Sequence, residues 1–452
     1  MYLGQKGLTI PKSTISEAEQ KQIKKDLTIT PKNIYQPLPP FYIYRESPNK
    51  LYVPRFYMDP VPSQLPSGND IDISFTGQIR DTQKLAIDAF MQTKCGLLQL
   101  PCGFGKTILA LYIISLIRKK TLIIVHKEFL MDQWIERMQE FLPTARIGKI
   151  QGNIIDVANK DVVIGMLQSL STKTYPREVF QDFGFTIIDE THHMGAEVFS
   201  NALFQIVTPY MLGLSATMER KDGMTKIFKM FLGEVLYSAE RETMDNIVVH
   251  MIKYKVNDAE FNETILNFKG QANYSSMIKK ICEYNARTDF ILSVLTHLLT
   301  DTKRQIMILA HNKSILTYLY DAIVHRKLSS VGYYIGGMSA SDLKETESKQ
   351  VVIATYAMAE EALDIKSLNT LIMASPKTDV TQAVGRILRE KHGQPIIVDI
   401  VDSHDTFGRQ WAKRKKYYNS QKYSIVQSTN ATYPACEPLK DRKYKCMLQM
   451  DD

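Results

Sequence analysis

The sequence predicts an α/β protein built from two doubly wound parallel sheets in tandem. Three observations carry that prediction. Short apolar runs recur along the chain and alternate with amphipathic stretches, the pattern of strands joined by crossover helices. The runs fall into two blocks, 76–240 and 288–405, separated by a polar, mixed stretch. The 452 residues are 44% hydrophobic, enough to bury two cores of ordinary domain size.

The elements follow in order. Residues 1–75 read as a small β-rich accessory segment, rich in Pro and Tyr. Within it, Phe41-Tyr-Ile-Tyr and Leu51-Tyr-Val-Pro flank the charged stretch Arg45–Lys50, which predicts a short hairpin. In the first block, strands are expected at Leu97–Leu100, Thr121–Val125, Val162–Ile164, Phe185–Ile188 and Met211–Leu214. Residues 241–287 read as a connector. In the second block, strands are expected at Gln305–Ala310, Gly332–Ile335, Val351–Thr355, Thr370–Ala374 and Pro395–Ile400. Residues 406–452 read as a basic helical tail.

The chemistry begins at the first expected strand. It ends in Gly103-Phe104-Gly105-Lys106-Thr107, and an apolar helical run follows. A glycine turn feeding a helix N-terminus aims backbone N–H groups at one point and favours phosphate there. Lys106 would reach the β/γ-phosphates, and Thr107 would ligate Mg²⁺. Leu100 stands where the general pattern has Gly, so the segment alone also fits a chance glycine turn. Further on, the run Phe185-Thr-Ile-Ile delivers Asp189 and Glu190 at a strand end, where open α/β sheets place ligands. Asp189 can hold the metal, and Glu190 can deprotonate an attacking water. A surface Asp-Glu opening a helix is the plainer alternative.

Formal net charge is +8, unevenly spread. Residues 407–452 carry ten Lys/Arg against four Asp/Glu, a surplus that suits a nucleic-acid backbone. Arg409, Lys413, Arg414, Lys415 and Lys416 recur at helical spacing beside Tyr417 and Tyr418. A solvated basic helix that only aids solubility fits equally. The five Cys are scattered with no C-x-x-C pair, which excludes a disulfide framework or a cysteine metal cluster and suits a reducing intracellular compartment. The longest apolar run, Ile108–Ile117, is too short to span a bilayer, and no signal peptide is expected.

Taken together, the motifs stand in a familiar order. Arg80-Asp-Thr-Gln83 precedes the phosphate loop. Leu130-Met-Asp-Gln-Trp134, Asp189-Glu-Thr-His192 and Leu214-Ser-Ala-Thr217 follow it. Ala354-Thr355, Glu361-Ala-Leu-Asp364 and Gln382-Ala-Val-Gly-Arg386-Ile-Leu-Arg389 mark the second block. Over roughly residues 76–420 this resembles the superfamily 2 helicases, and within them the XPB-like branch with its short viral and phage forms of the poxvirus transcript-release type.

The resemblance implies two RecA-like domains with ATP and Mg²⁺ in the cleft between them. It implies that Arg80 and Gln83 recognise adenine, beside the loop residues Gly103, Phe104, Gly105, Lys106 and Thr107. It makes Lys106, Asp189, Glu190, Gln382, Arg386 and Arg389 the catalytic set, with Thr107 and Asp189 on the metal. His192, Ser215, Thr217 and Asp364 would couple nucleotide state to closure. His126, Lys127, Gln168, Ser169, His311, Asn312, Lys313 and Thr355 would face one strand's phosphates. It also implies an enzyme that moves along DNA rather than RNA with 3′→5′ polarity, as a monomer off the membrane, with a polymerase or transcription machinery as partner. If viral, it would sit in the cytoplasm, the virion or the viral factory. Ala362 and Met218 depart from the residues common in relatives, Gly and Pro. A translocase on duplex DNA without unwinding, and a nucleotide-switched component of a transcription complex, remain open alternatives.

Overall fold

The computed structural model describes residues 1–30, 39–101, 103–191, 195–217, 225–239, 246–361, 363, 365–387 and 394–433. The chain divides into two compact units, Met1–Arg241 and Glu242–Asp452. Each is built on a large, mainly parallel sheet, as expected of two RecA-like domains.

In the first unit the strand order is Ile154–Ile155, Ile147–Gln151, Val162–Met166, Thr121–Val125, Phe185–Ile188, Tyr210–Ser215, Cys95–Gln99, Val235–Ser238. Every pairing is parallel except that of the two-residue edge strand Ile154–Ile155. The interior strands are continuous apolar runs because both faces are covered. Leu122 and Ile124 enter one core, while Ile123 and Val125 enter the other. Helix Lys106–Ile117 buries Leu109, Leu111, Ile113, Ile114 and Ile117 in the second of these cores.

The N-terminal segment helps cover the other face. Its strands Tyr2–Gly4, Gly7–Pro11, Lys50–Val53 and Arg45–Glu46 form an antiparallel sheet. Leu8, Ile10, Leu51 and Val53 share one core with Phe199, Phe204 and Phe231. A helix at Glu17–Asp26 is held by a capping box, in which Ser16 N–H donates to Glu19 Oε2 at 2.7 Å and Glu19 N–H to Ser16 Oγ at 3.2 Å. The predicted hairpin is corrected in register. Arg45 and Glu46 are its first strand and pair with Tyr52 and Leu51, whereas Phe41–Tyr42 pairs with Thr28–Ile29. Arg45 and Glu46 are strand because they pair with Tyr52 and Leu51 across the sheet, and the Arg45 guanidinium is further held by the Asn201 side chain of a helix, Ala196–Leu203.

In the second unit all seven strands are parallel, in the order Val331–Tyr334, Val351–Thr355, Ile306–Ala310, Thr370–Met373, Ile396–Asp402, Val248–Tyr254, Ser424–Thr429. The stretch read as a connector is not one. Val248–Tyr254 is an interior strand, and Tyr274–Glu283 buries Met277, Ile278, Ile281 and Cys282 in the second unit's core. Polar His250 and Lys253 broke up the apolar signal because the neighbouring edge strand Ser424–Thr429 is itself largely solvent-facing. The tail begins as expected with a helix, Asp405–Ser420, and residues 434–452 lie outside the described structure. No described helix is long and apolar enough to cross a membrane.

Candidate active site

Three neighbouring strands bring the first unit's chemistry to one sheet edge. Cys95–Gln99 leads into the phosphate loop, and Phe185–Ile188 leads into Asp189. Tyr210–Ser215 lies between them, with Ser215 opposite Gln99 and Gly213 opposite Ile188. All three run the same way, so the loop, the acids and Ser215 emerge together at their C-terminal ends.

The loop is shaped by glycine. Gly103 and Gly105 have φ of +82° and +84°, open to glycine and strained for other residues. Arg80 and Gln83, at the start of helix Asp81–Thr93, hold the loop from outside. Gln83 Nε2 donates to Phe104 O at 3.0 Å and to Gly105 O at 3.3 Å. Arg80 Nη2 donates to Gly103 O at 3.2 Å and also to Phe104 O. Trans peptides whose carbonyls turn toward Arg80 and Gln83 turn the following N–H groups the other way, which is the arrangement an anion needs. The pair therefore clamps the loop.

Lys106 opens the following helix, and its Nζ donates to Glu190 Oε1 at 2.7 Å. Glu190 adopts φ +50°, a left-handed conformation costing a non-glycine residue roughly 1–2 kcal/mol. Asp189 is buried. Its Oδ2 accepts from Trp134 Nε1 at 2.9 Å, and its Oδ1 from the Glu190 N–H at 2.9 Å. Burial, then the Glu190 charge, pushes the Asp189 carboxyl up to about 6, against the pull of Lys106 and the indole N–H. A divalent cation beside it would restore the charged form. Asp189 and Thr107 offer the hard oxygen donors that Mg²⁺ takes. Among the described residues no cluster of three His, Cys, Asp or Glu could hold a metal alone, so phosphate and water oxygens would complete the shell.

Ser215 is buried, and its hydroxyl donates to Thr217 O, while its own carbonyl accepts from Leu100 N–H at 2.8 Å. Thr191 Oγ1 donates to Leu214 O at 3.5 Å. The strand bearing Ser215 is thus tied both to the phosphate-loop strand and to the acids. His192 lies outside the described residues.

Trp134 holds Asp189 from a different element of the first unit. It is one of two Trp in the chain and lies 55 residues before its partner, so no local spacing could reveal the contact. Trp134→Phe should lower ATP turnover about tenfold, since groups that orient an acid of this kind are commonly worth 10- to 100-fold. Steady-state hydrolysis at saturating ATP checks this. Turnover equal to wild type would leave the indole as packing alone.

The expected strand contacts gather in two groups, one in each unit. His126 and Lys127 follow Val125, and Gln168 and Ser169 follow Met166, its register partner. Gln168 Nε2 donates to His126 O at 2.9 Å, and Gly152 N–H donates to Ser169 Oγ at 2.9 Å. In the second unit, His311, Asn312 and Lys313 follow Ala310, which lies opposite Thr355. Ser375 Oγ accepts from the His311 N–H at 2.9 Å and lies 2.9 Å from its Nδ1, and Tyr356 packs on the ring at 4.8 Å. Burial, then Lys377, pulls His311 down to about 4. It is neutral at physiological pH and offers a phosphate no charge.

Two expectations need correction or restriction. Helix Thr381–Arg386 carries Gln382 and Arg386, and Arg386 is buried with Nη1 donating to Leu363 O at 2.7 Å. Arg389 and Asp364 lie outside the described residues, as does any face shared by the two arginines. In the tail helix, Arg414 does not face phosphates. It is fully buried in a two-point ion pair with Asp399, at 2.7 and 2.8 Å.

The fold and the arrangement of this site are those of a RecA-like ATPase. The family described as "Type III restriction enzyme, res subunit" matches residues 76–220. A protein of Acanthamoeba polyphaga mimivirus named "Putative ATP-dependent RNA helicase L396" is 35% identical, over 96% of this chain and 87% of its own. A similarly named African swine fever virus protein, QP509L, is 27% identical over 73% of this chain and 69% of its own. The solved structure of S. cerevisiae Dbp5 bound to RNA and ADP BeF3 shares the fold, with a TM-score of 0.55 and 14% identity over 77% of this chain and 90% of that one. The chain belongs to the superfamily 2 helicases. It is an ATP-hydrolysing helicase.

Proposed function

We propose that the chain couples ATP hydrolysis to movement along a DNA strand in the 3′→5′ direction, within the XPB-like branch. The observation that supports the hydrolysis step is the Lys106–Glu190 contact at 2.7 Å beside buried Asp189; the DNA track, the polarity and the branch rest on the motif resemblance. A β/γ-phosphate competes with Glu190 for the Lys106 ammonium. Nucleotide binding would thereby release the carboxylate that must take a proton from water. Mg²⁺, held by Thr107 and Asp189, would neutralise phosphate charge. By resemblance, Arg80 and Gln83 meet adenine, and His192, Ser215, Thr217 and Asp364 couple turnover to movement. Gln382, Arg386 and Arg389 are assigned to the charge that develops on the γ-phosphate. His126, Lys127, Gln168, Ser169, Asn312, Lys313 and Thr355, with neutral His311, would hold one strand through phosphates without reading bases.

The names of the mimivirus and African swine fever virus relatives favour RNA as the track, and that is the second reading. Strand displacement on matched DNA and RNA duplexes, each with a 3′ or a 5′ tail, separates the two. ATP-dependent opening of 3′-tailed DNA is expected. Opening of RNA alone would move the assignment to the second reading. Displacement of a triplex strand without duplex opening would make the protein a duplex translocase. The resemblance also favours a polymerase or transcription complex as partner.

A further inference from the structure

A cavity of about 520 Å³ lies inside the first unit, where the N-terminal sheet meets the segment around Ser171–Val207. Its size falls within the roughly 300–1,000 Å³ of small-molecule sites. Two lining residues join its sides, the Arg45 guanidinium donating to Asn201 Oδ1. Outside the cavity, Arg55 Nη1 donates to Thr208 O at 2.8 Å and Pro209 O at 3.0 Å, and Phe56 N–H donates to Met230 O at 2.8 Å. The two sides also share one apolar core.

The lining says what would fit. Tyr52, Tyr175 and Phe180 give it aromatic surface, and Lys6, Arg45, Lys173 and Arg177 give it charge. Arg45 is held by Asn201, and Lys173 by Gly152 O at 2.5 Å and Asn153 Oδ1 at 2.7 Å, which leaves Lys6 and Arg177. Lys6 Nζ stands 5.2 Å from the centre of the Tyr52 ring. Among the described residues neither Lys6 nor Arg177 meets a carboxylate. The acid in the lining, Glu46, is taken by Lys12 at 3.0 Å and Lys24 at 2.8 Å. Tyr175 is only 8% exposed, yet its hydroxyl has no hydrogen-bond partner. The hydroxyl is closed off from the cavity, so what Tyr175 offers a ligand there is its ring. Aromatic faces and uncompensated cations together suit a group that is both planar and anionic.

The cavity also sits beside the expected strand contacts. Helix Leu167–Thr172 starts with Gln168 and Ser169, and its last turn, Ser171 and Thr172, forms part of the wall. Both hydroxyls donate back to Gln168 O, at 3.1 and 2.7 Å. We propose that the cavity takes one unstacked nucleotide of the bound strand, with its base against the aromatic wall and its phosphate between Lys6 and Arg177. The proposal rests on the reading that this chain binds a nucleic-acid strand. Stacking of this kind is tolerant of sequence, so the pocket would grip the strand without choosing a base.

The test uses the full chain, a fluorescein-labelled single-stranded oligonucleotide read by anisotropy, and AMP as a free nucleotide. Lys6 and Arg177 are exposed, so their replacement by Ala should leave the fold intact. The Lys6→Ala/Arg177→Ala pair should bind the strand about tenfold more weakly. Its salt slope should be shallower by about 0.7, since one phosphate sits between the two cations and each phosphate contact to a single strand is worth roughly that much. ATPase without nucleic acid should be unchanged. Tyr175→Leu should weaken strand binding severalfold with no change in salt slope, because it removes an aromatic face and no charge. Wild-type affinity and slope in both variants would overturn the proposal. So would loss of AMP binding in the pair with strand affinity intact, which would make the cavity a free-nucleotide site. A wild-type chain that binds no strand at all would instead sink the reading on which the proposal rests.

Discussion

Glu190→Gln should reduce ATP hydrolysis by about 10²- to 10⁴-fold while ATP still binds. The amide keeps the shape of the side chain but takes no proton from water. A hundredfold loss is about 2.7 kcal/mol of transition-state stabilisation. The structure adds a second expectation. Glu190 Oε1 holds Lys106 Nζ at 2.7 Å, so a neutral amide releases the ammonium toward the phosphates. ATP affinity should therefore equal or exceed that of wild type. Single-turnover hydrolysis, paired with binding of a fluorescent ATP analogue, reads both quantities. If affinity falls together with turnover, Glu190 serves to hold the phosphate loop and is not the base. Lys106→Ala differs in kind, because it also leaves the Glu190 carboxylate beside buried Asp189 without its ammonium.

What the sequence could disclose follows from distance along the chain. The phosphate loop is legible because glycines, Lys106 and Thr107 are consecutive, and the acids because they end one apolar run. The strands Thr121–Val125, Phe185–Ile188 and Val351–Thr355 are legible because two covered faces make them almost wholly apolar, with threonine as their polar residue. The Trp134–Asp189 contact joins residues on different elements, and nothing local marks it. Val248–Tyr254 was hidden by His250 and Lys253, whose neighbour in the sheet is a polar edge strand. The N-terminal segment reads as an accessory because its apolar residues come in short, Pro-interrupted runs. Its core is borrowed from Phe199, Phe204 and Phe231, well over a hundred residues away.

The tail helix had a signal that its charge obscured. Phe407, Arg414 and Tyr418 are its buried residues, at spacings of seven and four, which place them on one face. A run of cations draws the eye to phosphate, yet position on the helix separates Arg414 from its exposed neighbours. Its side chain belongs to the second unit's interior. Nη1 also donates to Lys377 O at 2.6 Å, and Tyr418 Oη donates to Asp399 Oδ2 at 3.1 Å.

Arg414→Ala should accordingly act on folding. It removes the guanidinium that pairs with Asp399 and leaves a carboxylate almost wholly buried in strand Ile396–Asp402 with the Tyr418 hydroxyl as a neutral donor and no opposite charge. Breaking a buried pair from one side typically costs about 3–5 kcal/mol. A whole domain is stable by only about 5–15 kcal/mol, so the second unit should unfold at clearly lower urea. Lys415, exposed on the same helix, sets the contrast. Lys415→Ala should stay within about 0.5 kcal/mol of wild type. Replacing both partners, with Arg414→Met and Asp399→Leu, should recover much of the loss, since no buried charge is then left alone. Urea unfolding of the full chain measures all three variants. If Arg414→Ala instead unfolds like wild type and loses affinity for a strand, the pair with Asp399 carries no stability and the arginine is a phosphate contact after all. Recovery in the double variant would exclude that outcome, because phosphate affinity cannot return when the cation is gone.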